Sequence, residues 1–104
     1  MNHTPAGNGA SAGAFIVDDD GWRFAGTLTF DDAARVFAAS KSVALPANGV
    51  VDFSGMTHAD SSALAVVMAL KRRATAEGRP LSIAGLSAPL RSLGVVYGVE
   101  NLLD

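Results

Sequence analysis

The chain has 104 residues, no cysteine, 49% hydrophobic and 17% charged residues, and a formal net charge of −2. That length supports one modest core and excludes a second, and the absent cysteines exclude a disulfide framework and a thiolate metal site, which makes a reducing cytoplasm the expected setting. Eight Lys plus Arg against ten Asp plus Glu exclude the basic footprint that nucleic acid demands, while charge below the globular average implies an unusually apolar surface.

Residues 1–13 are rich in Gly, Ala, Asn and Ser, with neither a basic start nor an apolar run, so they read as a tail and not as a secretory signal. Residues 14–104 read as one domain. Its first piece is a hairpin: the apolar run from Ala14 to Val17, the acidic turn Asp18-Asp19-Asp20-Gly21, then Trp22, Phe24, Gly26 and Leu28 alternating with polar or small residues. With Thr29 or Asp31 as cap, Ala33, Ala34, Val36, Phe37 and Ala38 recur at helical spacing until Pro46, Asn48 and Gly49 break the pattern. A short strand, Val50 to Phe53, leads through a loop over residues 54–59 to a long helix from Ser61 to Glu77, stopped by Gly78. A strand over residues 80–84, a helix near Pro89 to Val96 and a terminal Leu102-Leu103 pair close the chain. Strands alternating with helices predict an α/β fold with a mixed sheet, some of it parallel, and helices packed against it.

The long helix is the informative segment. At 100° per residue, Ala63, Leu64, Val66, Val67, Leu70 and Ala74 fall on one broad arc suited to a sheet. Ser61, Ala65, Met68 and Arg72 fall on another, with Ala69 and Ala76 beside them: a small apolar stripe with a hydroxyl at its start and a cation at its end. Either another helix of the domain covers that stripe or it is an exposed patch on which a partner docks. Ser61 follows Asp60, and both are favoured N-terminal capping types; a hydroxyl there also stands at the positive end of the helix dipole, where a phosphate would be accommodated.

Gly26-Thr27-Leu28, the Val50-Val51-Asp52-Phe53-Ser54 strand, the Asp60-Ser61-Ser62 helix entry and the closing Leu93 to Leu103 segment together give a chain that resembles the STAS domain, the family of anti-sigma-factor antagonists and their relatives. The resemblance runs from about Ala14 to Asp104. It implies a STAS-like mixed sheet with packed helices, and in the antagonist branch the phosphorylated hydroxyl falls on Ser61. Ala63 stands where the family usually has Gly and Thr27 where many members have an acidic residue, departures that count against the kinase-regulated branch. The compact first half, the alanine-rich helix and Leu93-Gly94-Val95-Val96-Tyr97-Gly98-Val99 resemble the MlaB-type branch, the STAS-only subunit of a phospholipid-transport ABC complex. That resemblance implies a non-catalytic subunit without cofactor, held at the cytoplasmic side of the inner membrane only through its partner. The partner would be an ABC-transporter ATPase with its permease, or, in the rival branch, an anti-sigma-factor kinase. It favours an interface at Ser61, Ala65, Met68 and Arg72, with Tyr97 and His58 near it.

Other groupings carry less. His58, Asp60 and Ser61 are the residue types of a hydrolytic triad but are crowded into one short stretch, where separate elements cannot hold base, nucleophile and carboxylate. Asp18 to Asp20 lack the Glu that a Ca²⁺ loop needs, and no glycine pattern cradles phosphate. Lys71, Arg72 and Arg73 suit a helix C-terminus and are too few for membrane attachment, and the run from Ala63 to Leu70 is far short of the roughly 20 residues that span a bilayer. Trp22 is expected in the core.

Overall fold

Alternation of aromatic and branched residues with small or polar ones sets the sheet. The computed structural model describes residues 12–18 and 21–104. Strand β1 (Ala14–Asp18) pairs antiparallel with β2 (Gly21–Leu28), and β2 pairs in parallel with β3 (Val50–Ala59), which in turn pairs in parallel with β4 (Ser82–Ala84). The order across the sheet is β1-β2-β3-β4. The parallel pairs require crossovers, supplied by α1 (Phe30–Ser40) and α2 (Ser61–Ala76). Helix α3 (Ala88–Val96) and a single 3-10 turn, Glu100–Leu102, follow. Residues 1–11 of the expected 1–13 tail and the Asp19-Asp20 part of the acidic turn lie outside the described residues; of the tail's last two residues, Ala12 forms a bridge to Thr27 and Gly13 is buried.

Along β2, Trp22, Phe24 and Leu28 are buried while Arg23 and Ala25 are exposed, so one face of the sheet carries the core. Phe15 stands at the centre of an aromatic group, its ring 5.1 Å from Trp22, 5.2 Å from Phe24 and 5.9 Å from Phe53. The six α2 residues assigned to the inward arc, Ala63, Leu64, Val66, Val67, Leu70 and Ala74, are the buried residues of that helix. Each fully buried Leu or Val there contributes about 2 kcal/mol of apolar transfer.

The strand before α2 is longer than its apolar run predicts. Residues 54–59, expected as a loop, continue β3, pairing Gly55 with Ala25, Met56 with Gly26, His58 with Thr27 and Ala59 with Leu28. Most of these side chains are exposed, so the backbone ladder to β2, and not burial, keeps them extended. Two register shifts in that pairing absorb the irregular spacing. The consequence is positional: β3 runs straight to the cap of α2 and fixes where Ser61 begins.

At the other end, Gly78 takes φ 68° after the Glu77 cap and stops α2. The closing segment folds back over α3: Leu103 is fully buried, and a Cβ at Gly94 would lie 2.4 Å from its Cδ1, so glycine at position 94 makes the notch that Leu103 fills.

Candidate functional site

Asp60 is the N-cap of α2 and shapes this end of the molecule. One carboxylate oxygen accepts the Ser62 N–H at 2.8 Å; the other accepts the N–H of Phe30, the first residue of α1, at 2.9 Å. The Phe30 bond above all, helped by Ser62 and opposed by partial desolvation and the Asp32 charge, holds the Asp60 carboxyl below the ordinary carboxylate range. Asp32 does related work inside α1: its Oδ2 accepts from the Thr29 N–H at 3.0 Å, the Thr29 hydroxyl at 3.0 Å and the Thr27 hydroxyl at 2.8 Å. Those bonds, the Thr29 N–H first, lower its pKa despite burial. Thr29 is the cap of α1, one of the two positions anticipated.

Ser61 is therefore the first residue of α2, exposed, and its hydroxyl makes no hydrogen bond to any described residue. Below it the stripe stays open. Ala65 and Arg72 are exposed and Met68 half-buried, so among the described residues no other element seals them. A groove of about 450 Å³ is lined by Ser61, Leu64, Ala65, Met68 and Arg72 on the α2 side and by Tyr97 and Val99 on the other. It continues past Met68 and Arg72 into a second hollow of about 460 Å³, which reaches Thr75, Ala76 and Leu102. The notch at Gly94 explains the far wall: with Leu103 seated, α3 and the closing turn lie alongside α2 without covering it.

The structure thus brings Ser61, Ala65, Met68, Arg72 and Tyr97 onto one surface. His58 stands apart, in an adjoining hollow of about 480 Å³ lined also by Met56, Asp60, Ser87 and Leu90. It makes no hydrogen bond to Asp60 or Ser61, and the Asp60 oxygens are already occupied by backbone donors, so these three residues do not assemble a triad. Among the described residues no group of three or more His, Cys, Asp or Glu is placed to hold a metal ion, and no helix is long and apolar enough to cross a membrane.

Two features escaped the sequence reading. Phe30 is 80% exposed, an aromatic side chain in solvent at the start of α1, although its N–H is tied to Asp60. Val96, beside Tyr97, is 78% exposed. Both look like core residues by type, and their positions at helix ends were the signal that they lie beyond the buried arcs.

A mixed four-stranded sheet carrying its helices, with a capped helix entry after the long central strand and a hydroxyl at its tip, is the architecture of a STAS domain. A family model described as "Mlab, STAS domain" matches residues 19–104, and the chain belongs to that family, the MlaB type of STAS domain. No curated protein gives a significant match.

Proposed function

We propose that this protein is a non-catalytic subunit that docks its α2 groove onto the ATPase of an ABC-type phospholipid transporter of the Mla kind and supports it in maintaining outer-membrane lipid asymmetry. The observation that carries the reading is the open groove: an apolar stripe with Ser61 at its tip, left uncovered by the described residues. Family membership supports the partner class. The domain contributes shape and a contact surface, and the ATPase contributes the chemistry. It reaches the cytoplasmic face of the inner membrane through that partner.

A second reading rests on Ser61 itself. An exposed hydroxyl without a hydrogen-bond partner among the described residues, next to a capping carboxylate, is open to a kinase, and the domain would then be an anti-sigma-factor antagonist switched by phosphorylation at Ser61. Affinity purification from the native host separates the two. Recovery of an ABC ATPase with its permease, unaffected by Ser61→Ala, supports docking. Recovery of a sigma-factor kinase, with Ser61→Ala abolishing regulation, overturns it in favour of the switch.

A further inference from the structure

Three consecutive cations of α2 meet three different fates. Lys71 Nζ donates to the carbonyl oxygens of Leu81 at 2.7 Å and Asp104 at 2.6 Å. Arg73 donates to the Ser40 and Val43 carbonyl oxygens and pairs with Glu77 at 2.8 Å. Arg72, between them, is exposed and has no hydrogen bond or ion pair with any described residue. It lies at the junction of the two hollows and lines both. Among the described residues no carboxylate lines either one, and apart from Lys71 the remaining walls are uncharged.

A partner laid along this groove desolvates the Arg72 guanidinium. With an apolar group opposite, that burial leaves an unpaired charge and works against docking; with a carboxylate, it gives a charge-assisted bond that fixes register. The small Ala65 side chain permits close approach of a helix backbone two turns away, about 10 Å along α2. Resting on the docking reading above, we propose that the partner segment is an apolar helix of the ATPase carrying a carboxylate that pairs with Arg72, about two turns from the residue that packs on Ala65. An anionic lipid surface would also attract a cation, but a single Arg supplies too little attraction to hold the domain there.

The test has two stages. A photoreactive benzoylphenylalanine replacing Thr75, at the rim of the groove, is introduced into the full chain in its native host, and the cross-linked segment is mapped by mass spectrometry. Affinity for the purified ATPase is then measured for the native chain, Arg72→Gln and Arg72→Glu, with melting temperature as the folding control. The expected result is a helical segment containing Asp or Glu, with binding weakened about tenfold by Arg72→Gln and further by Arg72→Glu. Exchanging the partner carboxylate for Lys should restore Arg72→Glu to within about threefold of the native pair. If Arg72→Glu binds within about twofold of native while Ala65→Asp abolishes binding, the charge pairing is wrong and the docking reading stands. Cross-links to no ATPase, with neither variant affecting binding, overturn both. Sedimentation with phosphatidylglycerol vesicles that Arg72→Glu removes would assign the cation to lipid and overturn the proposal.

Discussion

The Asp60 carboxylate accepts the backbone N–H of Phe30 at 2.9 Å, joining the first turns of two helices that lie thirty residues apart in the chain. Because its other oxygen caps α2, one side chain sets the relative position of both helix starts and holds Phe30 beside the Ser61 end of the groove. Asp60→Asn keeps one acceptor and Asp60→Ala keeps none. Urea unfolding should show Asp60→Ala destabilised by about 1–2 kcal/mol and Asp60→Asn by less than half of that. Equal losses would mean that the two bonds are not separately formed.

Acid should find the same two carboxylates. Asp32 and Asp60 are both held below the ordinary value in the folded chain, so each contributes stability that is fully present above the unfolded value of about 4 and fades as pH falls through the lower folded value. Melting temperature is therefore expected to be flat with respect to these groups from neutrality to about pH 5 and to drop below about pH 4. The paired variant Asp32→Asn, Asp60→Asn should be less stable at neutral pH and show a shallower acid limb. An unchanged limb would place the acid sensitivity elsewhere.

Substitution on the stripe should separate docking from folding. Ala65 is exposed, so Ala65→Asp is expected to move stability by no more than about 0.5 kcal/mol while weakening partner binding at least tenfold. Val67→Asp, on the buried arc one residue from Val66, should unfold the domain outright. A melting-temperature loss for Ala65→Asp comparable to a core substitution would show that the stripe belongs to the interior.

The far wall of the groove depends on one plug. Leu103→Ala empties the Gly94 notch and should cost about 3 kcal/mol, with amide exchange of α3 rising more than that of α2. Gly94→Ala approaches the same contact from the other side and should cost about 1–3 kcal/mol by displacing Leu103. Uniform exchange across both helices would indicate that α3 and α2 open as one unit.

What could be read from the residues follows from how locally each feature is encoded. The inward arc of α2 was legible residue by residue because apolar side chains at a 3.6 period carry their own signature. The hairpin and the parallel crossovers were legible for the same reason, through alternation and element order. The second half of β3 was not, since its extended form rests on backbone bonds to β2 and its side chains carry no periodic pattern. Phe30 was hidden because composition assigns an aromatic residue inward, and only the carboxylate thirty residues away anchors it at the surface. The groove's second wall needed the fold: Tyr97 and Val99 come from the closing segment, whose Leu103 packs at Gly94, a pairing that no local pattern announces.

The single tryptophan and single tyrosine of this chain sit in opposite surroundings. Trp22 is 2% exposed and packed against the Phe15 ring, whereas Tyr97 is 58% exposed on the groove wall. In the isolated domain, indole emission therefore follows the packing of the interior, while a fluorine label on Tyr97 would follow the environment of the groove wall. The two signals come from different parts of one small domain, so a change at the groove can be told from a loss of the core.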